Sequence, residues 1–302
     1  MTRTVAITGA TGFIGRRILT ALLQHGITVR ALTRQLATRQ DGVTWVRGSL
    51  QDQSSLARLV EGAGAVIHCA GQVRGSSRAV FQRDNVDGTV NLVRAAKAAG
   101  CGRFLLFSSL AARHPQLSWY AQSKHDAELA AFQIAAGMPI SIFRPTAVYG
   151  PGDSEMQPLL SGLLSGWLPR FGHAQAQLSF LHVDDLTRAT LCWLAADVVD
   201  GACYEISDGA REGYSWQQLA ALGAQVREGP VRLVNIPTWL LKRLSQLNVA
   251  LHRLRGGEPM LTPSKVNELL HPDWSSSNRV ISQHLGWHPA IDLEYALRER
   301  WF

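Results

Sequence analysis

The sequence predicts an α/β fold, a doubly wound parallel sheet with a smaller, mostly helical C-terminal domain. Three observations carry that reading. Short apolar, β-branched runs alternate with helix-period stretches through the first two hundred residues, the pattern of a parallel sheet covered by helices on both faces. The first run leads at once into the glycine-rich string GATGFIG at residues 9–15, a strand–turn–helix start. After residues 144–153 (RPTAVYGPGD) the texture changes, because Pro151, Gly152, Pro158, Gly162, Gly166 and Pro169 break the chain into short pieces.

Residues 4–8 (TVAIT) have the composition of a buried parallel strand. Gly9, Gly12 and Gly15 then let the backbone turn tightly and approach a pyrophosphate. A helix over 13–25, apolar at Ile14, Ile18, Leu19, Leu22 and Leu23, turns its N-terminal amides toward the phosphates. This is the Rossmann arrangement, and it places Gly9, Thr11, Gly12, Phe13, Ile14 and Gly15 against a dinucleotide. Further strands are expected at 28–32, 44–47, 65–69, 104–107 and 140–143, with helices at 54–61 and 91–99. A strand–helix unit returns at 178–196, and the tail from about 211 reads as mostly helical with little parallel-strand character. The expected division is a cofactor domain of 1–145 plus 177–207, interleaved with a substrate domain of 146–176 plus 208–302.

The composition is that of an ordinary soluble globular protein, 46% apolar and 18% charged in 302 residues. Four isolated cysteines, Cys69, Cys101, Cys192 and Cys203, read as buried thiols of a reducing compartment. The chain enters its first strand without room for a signal peptide, and no apolar run reaches bilayer length. A cytoplasmic location follows, with the inner membrane face as its variant. The net charge of +7 is spread over scattered arginines with no basic block, which argues against nucleic acid as a partner. His68, His114, His125 and His173 lack metal-ligand spacing, so no metal is expected.

Tyr120 and Lys124 stand one helical turn apart and share a face. A free tyrosine ionises near ~10, and a neighbouring ammonium favours the phenolate. Tyr120 could then give a proton to a carbonyl oxygen in reduction, or take one from an alcohol in oxidation.

The string TGATGFIG, FSS at 107–109, YAQSK at 120–124, RPTAVYGPGD at 144–153 and HVDDL at 182–186 follow in this order. With them the chain resembles the extended short-chain dehydrogenase/reductase family, which includes the NAD-dependent epimerases and dehydratases. The tail LGWHPAIDLEYALRERW at 285–301 is similar to that family's C-terminal end. The resemblance implies that Ser109 hydrogen-bonds the reacting oxygen and that Lys124 also holds the nicotinamide ribose. Asn85 corresponds to the family's structural or proton-relay asparagine, and Ser108, His182 and Asp184 to scaffold positions. Ser49, Leu50, Ala70, Gly71 and Pro145 are the further cofactor contacts it implies, and Ala147 and Tyr149 join Ser109 as substrate contacts. Dimerisation through 91–99 and the helix carrying Tyr120 follows by the same analogy.

NADP is favoured over NAD. The second strand ends in Thr33 and Arg34 without the carboxylate that binds a ribose 2′-hydroxyl. Arg34 could pair instead with a 2′-phosphate, assisted by Arg39. Ala147 replaces an asparagine typical of nucleotide-sugar members, and the stretch from Ser109 to Tyr120 is short. Both features point to the reductase branch, which resembles dihydroflavonol reductases and 3β-hydroxysteroid dehydrogenases. In residues 236–255, Trp239, Leu240, Leu244, Leu247, Leu251 and Leu254 form a helical stripe flanked by Lys242, Arg243, Arg253 and Arg255. Such a helix either lies in a membrane interface or faces the core; similar helices occur in the branch that resembles the NADPH-binding accessory subunit of respiratory complex I and bacterial reductases of long-chain keto-lipids. The expected activity is NADPH-linked reduction of a lipophilic ketone, or the reverse oxidation. A nucleotide-sugar epimerase or dehydratase, with Arg211 and the basic tail holding a diphosphate, is the first alternative. A non-catalytic NADPH-binding assembly or sensor protein is the second.

Overall fold

The structure is a computed structural model that describes residues 4–35, 39–135, 137–197, 201–255, 258–259 and 261–302, with the side chains of 253–255 outside that description. Seven parallel strands form the central sheet: β1 (Thr4–Thr8), β2 (Thr28–Thr33), β3 (Val43–Arg47), β4 (Ala65–His68), β5 (Arg103–Phe107), β6 (Ile140–Pro145) and β11 (Cys203–Ile206). Their spatial order is β11-β6-β5-β4-β1-β2-β3. The chain runs outward from β1 to β3, then restarts on the other side of β1 at β4. That reversal opens a crevice at the carboxyl ends of β1 and β4, where ligands of open α/β sheets bind.

Alternation along β1 sends Val5 and Ile7 to one face and Ala6 to the other. On the first face lie α1 (Phe13–Gln24), α7 (Val183–Ala195) and α11 (Arg279–Leu285), through Ile18, Leu22, Leu186, Trp193 and Ile281. On the second lie α2 (Gln53–Val60), α4 (Gly88–Ala98) and α5 (Trp119–Ala135), through Leu56, Leu59, Leu92, Val93 and Ala131. Each of the larger side chains, fully buried, contributes roughly 1.5–3 kcal/mol. The short helix α3 (Arg78–Phe81) runs into a π-helical turn at Gln82–Asp87 before α4 begins.

A third apolar cluster joins Tyr149, Leu160, Phe180, Trp216, Leu293 and Leu297. It is built from β7 (Ala147–Tyr149), α6 (Gln157–Leu164), β8 (Trp167–Arg170), β9 (Gln177–Leu178), β10 (Phe180–His182), β12 (Tyr214–Ser215), α8 (Trp216–Arg227), β13 (Arg232–Asn235) and α12 (Leu293–Arg298). Here the tail departs from the sequence expectation. Arg232–Asn235 pairs in parallel with Trp167–Arg170, and Tyr214–Ser215 pairs with Gln177–Leu178. Strands of two to four residues are too short for a period-2 pattern to show, and their partners lie far away in sequence.

The remaining helices are α9 (Thr238–Arg255) and α10 (Pro263–Leu270). The apolar stripe of α9 does not face the protein: Trp239 is 67%, Leu247 57% and Leu244 45% exposed. Its inward seam is Leu241 and Ser245 instead. Among the described residues, no helix is long and apolar enough to cross a membrane.

Candidate active site

Gly9 adopts φ +73°, and a Cβ on it would stand 2.6 Å from the Ala70 amide nitrogen. A Cβ on Gly15 would stand 2.1 Å from the Gly9 carbonyl oxygen. Glycine is therefore required at both, once for the turn and once for helix–strand packing. The Gly12 amide donates to Gly9 O at 3.0 Å, and Gly12 caps α1 without any side-chain hydrogen bond. The first-turn amides of α1 are thus left for an anion. Thr11 is exposed and Phe13 and Ile14 are half-buried on the same turn. This cradle, bordered by Ala70 after β4, fits a dinucleotide pyrophosphate.

At the far end of the crevice, Arg34 is exposed immediately after β2, and Arg39 is also exposed. Ser49 and Leu50 follow β3. The Leu50 carbonyl accepts from Asn91 Nδ2 at 3.0 Å, and its side chain fills the space that a Cβ on Gly88 would need.

A buried chain of hydrogen bonds connects the cradle to the neighbouring helix. The Ala70 amide donates to Thr8 Oγ1 (3.2 Å), which sits 2.6 Å from His68 Nδ1. On the other side of the ring, Nε2 lies 3.0 Å from Thr89 Oγ1, and that hydroxyl donates to Asn85 O at 2.6 Å. Because Thr89 spends its proton on Asn85, His68 must donate from Nε2 and accept at Nδ1. Burial holds this imidazole neutral, its pKa pushed down to about 3.

Asn85 lies in the π-helical turn, a distortion often found at functional sites. Its Nδ2 donates to Gln72 O at 3.0 Å and Ser123 Oγ at 2.8 Å, and its Oδ1 accepts from the Gln72 amide. Lys124 Nζ donates to Phe107 O at 2.9 Å. A Cβ on Gly71 would meet Lys124 Nζ at 3.0 Å and Asn85 Oδ1 at 3.2 Å. Gly71, Asn85 and Lys124 therefore converge beside the cradle. Burial lowers the Lys124 pKa to about 8.

Ser109 follows β5, its hydroxyl accepts from the Ala111 amide at 3.2 Å, and it lies near enough to the Tyr120 phenol to favour its ionised form. The Tyr120 ring packs edge-on against Phe81, centroids 6.3 Å apart. Burial raises the phenol's pKa, whereas Ser109 and then Lys265 draw it back. Lys124 donates to Phe107 O and keeps its positive charge, and a second cation, Lys265, lies over the Tyr120 ring, 5.6 Å from the centroid. No motif flagged Lys265. Its only local signal is the helix start at Thr262 and Pro263, where Thr262 Oγ1 accepts from the Lys265 amide at 3.1 Å. Together with Val73, Phe81 and Pro259, it encloses about 10 Å³ over Tyr120, room for one water.

Pro145 ends β6 as a buried residue and Ala147 opens β7 half-buried. Tyr149 is another correction. It is fully buried, with its ring edge-on to Phe180 and His182, so it packs the third cluster rather than facing a substrate. Ser108 donates to buried Glu128, which also takes Arg144 Nε at 2.9 Å. His182 caps α7 by accepting from the Asp184 amide at 3.2 Å, and its other nitrogen meets Trp301 O at 3.3 Å. These are scaffold contacts.

Residues 5–207 match the model of the NAD dependent epimerase/dehydratase family. The chain belongs to that family. Within the epimerase/dehydratase family it is similar to the ceramide reductase of Caulobacter vibrioides, 36% identical over 284 residues that cover 92% of this chain and 88% of the relative. It is also similar to the 2-alkyl-3-oxoalkanoate reductase of Stenotrophomonas maltophilia, 28% identical with 97% of each chain covered. Among solved structures, the UDP-glucuronic acid 4-epimerase of Bacillus cereus shares the fold with a TM-score of 0.75 at 18% identity, covering 99% of this chain and 98% of that one. The chain is thus an NAD(P)-dependent enzyme of the extended short-chain dehydrogenase/reductase type, an epimerase/dehydratase-family oxidoreductase.

Proposed function

We propose that this enzyme reduces the ketone of a long-chain, apolar lipid with NADPH, and oxidises the corresponding alcohol in reverse. The observation that carries the reading is the half-buried Tyr120 phenol, beside Ser109 and one helical turn from the Lys124 that lines the cradle, with desolvation keeping it protonated at neutral pH. A protonated phenol is the form that a ketone reduction needs, since charge develops on the carbonyl oxygen. When bound, the nicotinamide supplies the hydride. Gly9, Gly12, Gly15, Phe13 and Ala70 would hold its pyrophosphate end, and Lys124 and Gly71 its ribose end. Ser109 orients the substrate oxygen, and Tyr120 gives it a proton. In this reading residues 1–145 and 177–207 hold the cofactor, while 146–176 and 208–302 shape the substrate cleft. The ceramide and oxoalkanoate reductases support an apolar substrate.

The cofactor form rests on Arg34. Titration calorimetry should show NADPH binding more tightly than NADH by roughly 10- to 100-fold, the value of a charge-assisted contact to the 2′-phosphate. Arg34→Ala should erase the difference. Equal NADH binding, unmoved by the substitution, would sink the NADP assignment and favour the nucleotide-sugar reading. NADPH consumption with a keto-ceramide or a 2-alkyl-3-oxoalkanoate, set against UDP-glucose, then separates the substrate classes.

The exposed stripe of α9 supports peripheral contact with an anionic bilayer at the cytoplasmic face. Thr238–Arg255 contains no acidic residue, and Lys242 and Arg243 are exposed beside Leu244 and Leu247. Leu254, Arg253 and Arg255 belong to the same pattern, with side chains outside the described residues. The protein should sediment with phosphatidylglycerol vesicles and not with phosphatidylcholine vesicles, and Leu247→Glu should abolish the effect. Leu129 and Phe132, 50% and 44% exposed on α5, support homodimerisation through α4 and α5.

A further inference from the structure

A second ammonium, supplied from the far end of the chain, faces the phenol that the site is built around. Lys265 stands on the first turn of α10, with Nζ 5.6 Å from the centre of the Tyr120 ring. That is within the range where an aromatic face attracts a cation. The same Nζ lies 2.5 Å from Glu268 Oε2, one helical turn on. Glu268 is buried, and its other carboxylate oxygen accepts from the Ser118 hydroxyl. Ser118 in turn accepts from the Ala121 amide at 2.9 Å, at the start of the helix that carries Tyr120. Asn267 Nδ2 donates to Leu117 O at 3.0 Å, and Trp274 Nε1 donates to Glu268 O at 3.0 Å. The beginnings of α5 and α10 are therefore stapled together, and the staple fixes the ammonium relative to the phenol. The placement is built by five side chains from two distant segments.

We propose that Lys265 is a positioning residue that sets the ionisation of Tyr120, with Glu268 as the counter-charge that limits its effect. The inference rests on Tyr120 being the proton donor. When Tyr120 gives up its proton, the phenolate left behind gains a fixed positive charge across the ring, while Glu268 keeps that charge from making the phenol ionise prematurely. The other groups acting on Tyr120 are Ser109 after β5, Phe81 from α3 and Glu155, and Lys124 stands one helical turn along the same helix. Glu155 is held by Arg74, whose Nε donates at 2.8 Å, so its charge is largely compensated. Lys124 donates to Phe107 O and keeps its positive charge. Lys265 is the cation set over the ring face itself, so its removal should be felt even with Lys124 in place. Its own charge is secure: burial works against it, but the Glu268 carboxylate outweighs burial and raises its pKa.

The test reads Tyr120 directly and needs no substrate. The full-length protein is prepared with tyrosine isotopically labelled at Cζ, and the Tyr120 resonance is assigned by its loss in Tyr120→Phe. Its titration midpoint is then followed by NMR. Lys265→Met should raise the midpoint by about one pH unit, and Glu268→Gln should lower it by a similar amount, since removing one charge of a pair exposes the other. Lys265→Arg, which keeps the charge, should stay near wild type. Circular dichroism checks that each variant is folded. The descending alkaline limb of NADPH oxidation, with a keto-ceramide as probe, should move in the same opposite directions. Unmoved midpoints, shifts of the same sign, or Lys265→Arg behaving like Lys265→Met would overturn the inference. Turnover of Tyr120→Phe tests the Tyr120 reading separately. An active Tyr120→Phe with opposed midpoints would remove the proton-donor role and keep the electrostatic coupling.

Discussion

Tyr120→Phe is expected to lose roughly 10²- to 10⁴-fold in turnover, the range for removing a positioned general acid, with NADPH affinity unchanged. The substitution deletes one oxygen and keeps the ring that packs on Phe81 and lies under Lys265. None of the cradle contacts at Gly9, Gly12, Gly15 and Ala70 passes through that oxygen. Calorimetric titration with NADPH and the kcat for NADPH oxidation with a keto-ceramide separate the two effects. A loss smaller than about tenfold would mean that the proton comes from elsewhere. A loss of cofactor affinity instead would make the phenol a binding group rather than an acid.

The largest stability effect is expected at Glu128. It is 3% exposed, accepts from Arg144 Nε at 2.9 Å and through Nη2, and takes the Ser108 hydroxyl. Glu128→Ala strands the Arg144 guanidinium beside the sheet, where breaking a buried pair costs about 3–5 kcal/mol. A domain has only about 5–15 kcal/mol in total, so the urea midpoint should fall steeply. Glu128→Gln should lose less, because it keeps an acceptor for Ser108. In the double variant with Arg144→Met, part of the loss should return, since no unpaired charge remains. A double variant no more stable than Glu128→Ala would show that packing, not the orphaned charge, dominates. Ser108 neighbours Ser109, so the same pair also steadies the residue that acts on the Tyr120 phenol.

The features legible in the sequence were those made by neighbours in the chain. The glycine turn works through Gly9, Gly12 and Gly15 within a single strand–turn–helix, and the Tyr120–Lys124 spacing is one helical turn. Both could be read without knowing where the rest of the chain goes. The Lys265–Glu268–Ser118 staple and the Glu128–Arg144 pair could not, because a lysine or a glutamate at helical spacing looks the same whether it faces water or a phenol. Helix α9 shows the same limit differently. Its stripe was visible, but which side packs inward depends on α10, and the inward seam turned out to be Leu241 and Ser245. Short strands such as β13 carry too few residues to announce a partner some sixty positions away.

The hydrogen-bonded chain through His68 has only one polarity. It begins at a backbone N–H, Ala70, and ends at a backbone carbonyl, Asn85. Neither end can exchange roles, so both threonine hydroxyls and the imidazole tautomer between them are dictated by the main chain at the two termini. The loop beneath the dinucleotide and the helix turn beside Lys124 are consequently set as one unit, with no rotor free to point the other way. An imidazolium has no acceptor for the Thr8 proton, so charging His68 would make Nδ1 a donor to Thr8 Oγ1 and leave the Thr8 hydroxyl proton without its partner in the middle of the protein.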